Sequence, residues 1–317
     1  MLIGRSASGN SNHLQTNTAY TVSVIYNPQL KLFASIERLF MLFDSHMHTK
    51  WSGDSEADPL DMIHSAQHAG LCGLTFTDHL DLDFPTLPHK FDLDLDSYIP
   101  AMRRLSHDYS DETFTILCGL ELGLQTHLVR KHKQLLSEYA FDFVIGSIHQ
   151  IDGKDPYYDE FFDDKTFHEA YRDYFDCTME NLRSFRDIDA LGHIDYICRY
   201  GMRVAKSRTG RVDDGLLFYK DFSEIVDAIL TWIIRHDIAL EINTAPFRYG
   251  FHEPNPSSAI LRRYHELGGE LLTLGADAHA PEYIAFAFDR IPDLLKANGF
   301  CSYYVYRNRI PEELPIE

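Results

Sequence analysis

Residues 42–79 read LFDSHMHTKWSGDSEADPLDMIHSAQHAGLCGLTFTDH, and this stretch decides the fold class. Its two apolar ends have the length and composition of β-strands, and the segment between them has the spacing of an amphipathic helix. Asp58 is a typical N-cap residue, Pro59 stands at the first helical position, and Gly70 is typical of the residue that follows a helix. The stretch therefore predicts a strand, a helix over 59–70 and a second strand.

The same alternation continues along the chain. Further apolar runs predict strands over 114–121, 141–149, 188–195, 238–243, 271–279 and 300–307. Amphipathic patterns predict the remaining helices over 97–110, 126–140, 164–185, 222–237, 256–269 and 281–299. Apolar strands that alternate with helices indicate an α/β protein with parallel strands buried on both faces. Seven such units and a terminal strand favour a barrel over an open sheet.

The charge balance restricts the partners of this chain. Among its 317 residues, 29 Lys and Arg stand against 48 Asp and Glu, which gives a formal net charge of −19. Contact with nucleic acid or an anionic membrane depends on Lys and Arg, so we expect neither as a partner. A small phosphorylated substrate is compatible with this charge.

Two further features concern location and domain organisation. The five cysteines are scattered and odd in number, which is typical of a reducing compartment and predicts a cytoplasmic protein. No apolar segment has the length of a membrane span or the character of a signal peptide. Residues 1–40 begin with a polar stretch rich in Ser and Asn, so we expect a partly disordered N-terminal extension before a catalytic domain over 41–317.

Six of the 17 histidines stand at the ends of predicted strands: His46, His48, His79, His149, His193 and His279. Three acidic residues stand at or near the same ends: Asp54, Glu121 and Asp277. In a parallel α/β barrel, the C-terminal ends of the strands meet at one face. Imidazoles and carboxylates are common ligands of Zn²⁺, Fe and Mn²⁺, and nine of them exceed what one ion can take. The pattern therefore predicts a centre of two or three divalent metal ions.

Strand geometry supports this metal centre. Side chains two apart on a strand point to the same side, so His46 and His48 face one way, and so do Asp277 and His279. Glu121 ends an apolar strand, and a buried Glu is rare without a paired charge. We therefore expect a cation beside Glu121, which could bridge two ions.

The motifs as a set resemble the PHP (polymerase and histidinol phosphatase) family, specifically its stand-alone histidinol-phosphate phosphatases. The matching pieces are FDSHMHTKWSGD (43–54), LTFTDH (74–79), GLELG (119–123), IGSIH (145–149), LGHID (191–195), EINTAPFR (241–248) and GADAH (275–279). They run in family order over roughly 41–307. The resemblance implies a distorted (β/α)₇ TIM-like barrel with its metal site at the C-terminal ends of the strands.

The resemblance also implies roles for individual residues. The first ion would be held by His46, His48, Glu121 and Asp277, the second by Glu121, His149 and His193, and the third by Asp54, His79 and His279. Asp277, His193 and Glu121 would be catalytic. Arg248 and Arg199 would bind the substrate phosphate, because the guanidinium fork donates two parallel hydrogen bonds.

The activity implied by the resemblance is the hydrolysis of L-histidinol phosphate to L-histidinol and phosphate, in histidine biosynthesis. A PHP-type phosphoesterase acting on another small phosphate ester or nucleotide remains an alternative, because the metal motifs are largely shared. A metal-dependent amidohydrolase is disfavoured, because strand four ends in Ser147-Ile148-His149 rather than in the Lys typical of that superfamily. A catalytically inert metal-binding module is the alternative outside the enzymes.

Overall fold

The computed structural model describes residues 42–316. The predicted N-terminal extension, residues 1–40, lies outside the described residues, and its boundary with the catalytic domain stays a prediction. The α-helices within 42–316 are α1 (Pro59–His68), α2 (Leu95–Tyr109), α3 (Val129–Glu138), α4 (Phe167–Ser184), α5 (Ile197–Thr209), α6 (Tyr219–Arg235), α7 (Ser258–Glu266) and α8 (Ile291–Ala297). The strands are β1 (Phe43–Asp44), β2 (Gly73–Phe76), β3 (His79–Leu80), β4 (Thr115–Gly123), β5 (Phe143–Ser147), β6 (Ala190–Leu191), β7 (Ala239–Asn243), β8 (Leu272–Gly275), β9 (Ser302–Arg307) and β10 (Ile310–Pro315).

The main sheet is parallel and curls into a barrel. Its strand order is β1-β2-β4-β5-β6-β7-β8, with β3 paired to β4 beyond the end of β2. The last strand of this sheet, β8, lies beside the first, β1. Directly after β1, the Ser45 N–H donates to the Leu274 carbonyl of β8 at 2.8 Å, and Met47 forms a parallel bridge with Ala278. The predicted TIM-like α/β barrel is confirmed.

The first helix shows how local sequence builds the outer layer. The Asp58 side chain accepts the Leu60 N–H at 3.0 Å, Pro59 opens the helix, and Gly70 follows it with a φ of 75°. The inward face carries Pro59, Met62, Ile63 and Ala66, all buried. The cap and the first residue predicted for this helix are confirmed, and the helix ends at His68, two residues before the predicted end.

Helix α5 follows β6 and was not among the predicted helices. Its segment contains Gly201, which weakens a helical pattern. A Cβ at Gly201 would lie 1.8 Å from the hydroxyl oxygen of Tyr171 on α4. Close packing of two helices therefore requires the glycine that obscured the helix in the sequence.

The single helix predicted over 281–299 is wrong for its first half. The α-helix begins at Ile291, and the residues before it form only short 3₁₀ turns. Ala285 and Ala287 have φ values of 54° and 60°, which no right-handed helix allows. The Ala285 N–H donates to Asp44 Oδ2 at 3.1 Å, so a contact with β1 overrides the helical pattern.

The predicted terminal strand is present as β9, and it lies outside the barrel. It pairs with β10 in an antiparallel hairpin. The Tyr303 hydroxyl on β9 accepts the Phe43 N–H of β1 at 2.9 Å, which fastens the hairpin to the barrel. Within residues 42–316, all five cysteines are free. No helix of this part of the chain is long and apolar enough to cross a membrane.

Candidate metal centre

The nine predicted site residues lie together at the C-terminal ends of the barrel strands. On the buried side, His46 Nε2 and His48 Nε2 are 3.0 Å apart. Glu121 Oε2 lies 3.3 Å from the first nitrogen and 3.4 Å from the second. Asp277 Oδ1 lies 3.3 Å from His48 Nε2 and 3.8 Å from His46 Nε2. The four residues predicted for the first ion therefore surround one point.

Hydrogen bonds behind these two rings fix which nitrogen faces the cluster. His48 Nδ1 lies 3.0 Å from Ser52 Oγ, and the Ser52 hydroxyl itself donates to Asp78 Oδ1 at 2.9 Å. Ser52 Oγ therefore accepts from His48 Nδ1–H, which leaves a lone pair on His48 Nε2. Glu241 Oε1 accepts from His46 Nδ1–H in the same way. When both rings are neutral, two lone pairs face each other at 3.0 Å, and a divalent cation that accepts both of them suits this arrangement.

Glu121 connects the first set of residues to the second. Its Oε1 lies 3.0 Å from His193 Nε2 and 3.3 Å from His149 Nε2. Its Oε2 lies 2.8 Å from His79 Nδ1, although neither atom makes a well-oriented hydrogen bond within residues 42–316. The Glu121 side chain is only 1% exposed. A buried carboxylate whose two oxygens face five imidazoles has the arrangement that a bridging ligand requires.

The third predicted set lies toward solvent. Asp54 Oδ2 is 3.3 Å from His279 Nε2 and 3.7 Å from His79 Nε2. The Asp54 side chain is 37% exposed and that of Asp277 is 15% exposed. His79 also faces Glu121, so it stands between the second and third sets.

Asp277 reaches the cluster by a backbone turn rather than by strand geometry. Strand β8 ends at Gly275, and Asp277 has a φ of 52°, in the left-handed region. The expectation that strand alternation aligns Asp277 with His279 is therefore wrong, although Asp277 Oδ1 lies 3.5 Å from His279 Nδ1. Non-glycine residues in this conformation concentrate at functional sites.

Two carboxylates behind the centre were not predicted from the sequence. Asp81 Oδ1 accepts from His149 Nδ1–H at 2.8 Å, and this bond turns His149 Nε2 toward Glu121. Glu241 contacts His46 Nδ1 through one oxygen and accepts the His193 backbone N–H at 2.7 Å through the other. Carboxylates in this position orient imidazole ligands and raise their basicity.

Two glycines make room for this outer layer. A Cβ at Gly123, the last residue of β4, would lie 1.9 Å from Asp81 Oδ1. A Cβ at Gly275, the last residue of β8, would lie 2.3 Å from the His46 Cβ and 3.0 Å from Glu241 Oε1. Any side chain at either position would displace the groups that orient His149 and His46.

The charges of the cluster compensate one another. Burial lowers the pKa of His46, but Glu241, Glu121 and Asp277 outweigh it and hold that pKa well above its usual range. Burial also lowers the pKa of His149, but Asp81 and Glu121 outweigh burial and raise that pKa to about 10. Without metal ions, His46 and His149 would retain protons, because the buried carboxylates are stabilised by positive charge beside them. Divalent cations supply it, and the donor set of imidazole nitrogens and carboxylate oxygens suits Zn²⁺, Fe or Mn²⁺.

The two predicted arginines occupy different positions. Arg199 on α5 lines the cavity over the centre, and its guanidinium lies 4.7 Å from the Tyr200 ring centroid and 4.9 Å from that of Tyr249. Arg248 is not among the cavity-lining residues of the described chain. Its Nη2 donates to the Asp277 carbonyl at 3.0 Å, so Arg248 holds the left-handed turn that presents Asp277.

A cavity of about 340 Å³ leads to the centre. Its floor includes seven of the nine predicted site residues: Asp54, His79, Glu121, His149, His193, Asp277 and His279. The loops that follow β3 and β5 form its walls, through Phe84, Phe91, Asp155 and Tyr157 among others. A small molecule in this cavity would contact the metal-binding side chains directly.

Comparisons with known proteins agree with this geometry. The PHP domain family matches residues 44–245. A protein of Clostridium acetobutylicum named "Probable histidinol-phosphatase" is 32% identical over 249 residues, covering 78% of this chain and 90% of the relative. The "Histidinol-phosphatase" of Lactococcus lactis is 32% identical over 262 residues, covering 81% of this chain and 91% of the relative.

A solved structure is similar over nearly the whole described chain. The crystal structure of histidinol phosphate phosphatase from Lactococcus lactis, complexed with zinc, L-histidinol and phosphate, has a TM-score of 0.76 at 29% identity. The match covers 86% of this chain and 99% of that one. The family match spans more than half of the sequence, and the resemblance read from its motifs is confirmed. The chain belongs to the PHP domain family.

Proposed function

We propose that this chain is a metal-dependent phosphomonoesterase that hydrolyses L-histidinol phosphate to L-histidinol and phosphate, a reaction of histidine biosynthesis. The observation that carries the proposal is the convergence of nine imidazole and carboxylate side chains beneath one cavity of about 340 Å³. The similar enzyme of Lactococcus lactis was crystallised with zinc, L-histidinol and phosphate. Five free cysteines support a reducing compartment, and we propose the cytoplasm.

We assign two to three divalent ions, Mn, Fe or Zn, to the three predicted sets of residues. His46, His48, Glu121 and Asp277 would hold the first, Glu121, His149 and His193 the second, and Asp54, His79 and His279 the third. Support comes from three groups whose ligand atoms lie within 4.8 Å of one another: His46/His48/Glu121, His79/Glu121/His149 and His48/His79/His279. When bound, such ions activate water as a nucleophile and neutralise phosphoryl oxygens.

Arg199 binds the phosphate from the cavity wall. Burial lowers its pKa, but Tyr200, Tyr249 and Asp277 outweigh burial and raise it above the ordinary arginine value, so the guanidinium stays charged. Its planar fork matches two phosphate oxygens. Arg248 acts mainly by holding the Asp277 carbonyl, and its buried Nε has no acceptor within residues 42–316. The contact of Arg248 with the substrate phosphate therefore stays a proposal, and this unused N–H is the donor that it would offer.

Glu121, Asp277 and His193 were predicted to be catalytic. The exposure and contacts of each side chain indicate a different role. The Glu121 side chain is only 1% exposed at the cavity floor, so it acts as a ligand and holds charge in place. Asp277 is 15% exposed and lines the cavity, so it can exchange a proton with substrate or water. His193 turns Nε2 toward Glu121 at 3.0 Å, and its Nδ1 has no hydrogen-bond partner in the described part of the chain.

Metal reconstitution and a ligand substitution test this function. The chain loaded with Mn²⁺, Fe²⁺ or Zn²⁺ should release phosphate from L-histidinol phosphate, a chelator should abolish the activity, and the same ion should restore it. His193→Ala should lower kcat at least about 100-fold. His64→Ala is the matched control, because His64 is exposed on α1. Full activity of the metal-free chain, or less than one bound ion per chain after growth with these metals, would contradict the proposal.

A further inference from the structure

Asp155 stands apart from the metal-binding residues, in the wall of the same cavity. It belongs to the loop after β5 and lines the cavity together with Tyr157, Tyr196 and Tyr200. One carboxylate oxygen accepts the Tyr157 N–H at 2.7 Å. Within residues 42–316, its side chain makes no other hydrogen bond and no ion pair. A partly buried carboxylate in this position lacks a compensating cation.

The cationic groups around Asp155 are committed elsewhere. Arg203 Nη2 pairs with Asp159 Oδ1 at 2.8 Å and donates to the Tyr157 carbonyl. His149 Nδ1 is taken by Asp81. Burial is the main reason why the pKa of Asp155 is raised to about 6, although the Tyr157 N–H and His149 act to lower it. The protein therefore leaves a negative charge facing the cavity, where a ligand can neutralise it.

The surroundings suit an organic group that is cationic and partly flat. The Tyr157 and Tyr200 rings are 5.8 Å apart at 74°, and the Tyr196 and Tyr200 rings are 5.1 Å apart at 82°. Aromatic faces attract cations and pack against planar rings. An aliphatic ammonium group keeps its proton at neutral pH, whereas an imidazole with a pKa of about 6.5 is mostly neutral there. The ammonium is therefore the fitting partner for the carboxylate, and the ring fits the aromatic wall.

We propose that Asp155 receives the ammonium group of the substrate and thereby makes the site selective for cationic amino-alcohol phosphates. This inference rests on the proposed function, since it assigns the contact for the organic part of the same substrate. The metal centre and Arg199 recognise the phosphate, which every monoester shares. Asp155 recognises the part that differs between monoesters.

A substitution combined with a pair of substrates tests this assignment. L-Histidinol phosphate is compared with 3-(imidazol-4-yl)propyl phosphate, which lacks only the amino group. Asp155→Asn keeps an acceptor for the Tyr157 N–H and removes the charge. We expect this variant to lose about 10- to 100-fold in kcat/KM on L-histidinol phosphate, and at most about threefold on the analogue. Asp155→Glu should recover part of the selectivity, because it restores the charge.

Glu160→Gln is the matched control, because it removes an exposed carboxylate of the same loop that does not line the cavity, and it leaves the Arg203–Asp159 ion pair intact. It should leave the selectivity unchanged. Metal content and Tm of both variants should equal those of the wild type. An equal loss on both substrates, or no loss on either, overturns the role of Asp155. A wild type that does not prefer L-histidinol phosphate over 4-nitrophenyl phosphate overturns the proposed function together with this inference.

Discussion

Glu241 holds two parts of the centre at once. One oxygen accepts from the His46 ring and the other accepts the His193 backbone N–H. In Glu241→Gln, the amide must turn an NH₂ donor toward one of these N–H groups. We expect divalent-ion affinity to fall about 10- to 100-fold, measured by titrating the metal-free protein in competition with a chelating dye. Glu138→Gln, exposed on α3, is the control, and equal affinities would show that Glu241 has no such role.

Protons compete with metal ions for His149. In the metal-free chain its pKa is raised to about 10, because Asp81 and Glu121 outweigh burial. Protonated His149, paired with Asp81 and Glu121, stabilises the metal-free fold fully below about pH 6.5, which is the pKa of histidine in the unfolded chain. This contribution is lost as pH rises through about 10. Metal binding should therefore release protons at neutral pH and tighten as pH rises, which calorimetry in two buffers of different ionisation enthalpy measures. Binding without proton release would contradict this assignment.

The side chains facing the centre and those behind it differ in what the sequence reveals. The nine predicted positions stand at or after strand ends within short motifs, so the sequence pattern predicts that they share one face of the barrel. Asp81 stands two residues after His79, directly after β3, but its contact with His149 joins residues 68 positions apart, which local spacing does not reveal. Glu241 carried the same signal as Glu121, a glutamate inside an apolar strand, and that rule would have identified it.

The end of β4 shows how a residue without a side chain, Gly123, makes room for a group behind the centre. Gly123→Ala would place a methyl group 1.9 Å from Asp81 Oδ1 and push this carboxylate away from His149. We expect this variant to lose metal affinity, measured by metal content after dialysis. Gly210→Ala is the control, since Gly210 has a φ of 75° at the end of α5 and open space around it. It should lose about 1 kcal/mol of folding free energy and no metal. Equal metal loss in both variants would contradict the argument.

Elements with local signals were predictable, and elements decided by distant contacts were not. Helix α1 carries its own N-cap and a glycine stop signal, so its start follows from the sequence and its end lies within two residues of the predicted one. Helix α5 was missed because Gly201 serves its packing against Tyr171. The turn at Ala285 follows from a hydrogen bond to Asp44, which lies 241 positions away. Tertiary contacts of this kind override local propensity.

The whole barrel is tied together at its mouth by the predicted ligands. They come from the ends of β1, β3, β4, β5, β6 and β8, so bound ions would link strands across the barrel. An ion that binds only the folded chain stabilises it in proportion to the logarithm of its concentration over Kd. We expect a chelator to lower Tm, measured by scanning calorimetry, and excess Mn²⁺ or Zn²⁺ to restore it. A Tm that does not respond to metal would contradict this linkage.

The molecule carries a net charge of −19, yet its cavity is built for an anion. The sequence predicted Asp54, Glu121 and Asp277 as the acidic ligands, and the structure adds Asp81 and Glu241 behind them. Two or three divalent ions would offset these charges and make the field at the cavity floor favourable for phosphate. Barrel closure itself was not predictable from periodicity, because it depends on contacts such as Ser45 with Leu274.

The kcat/KM of the metal-loaded chain for L-histidinol phosphate, compared with bis(4-nitrophenyl) phosphate and nucleoside monophosphates, tests the proposed activity most directly. The centre, Arg199 and the cavity of about 340 Å³ predict that L-histidinol phosphate is preferred by at least about 100-fold over each of the others. A preference for the diester or for a nucleotide would contradict the assignment and favour another phosphoesterase of the same family.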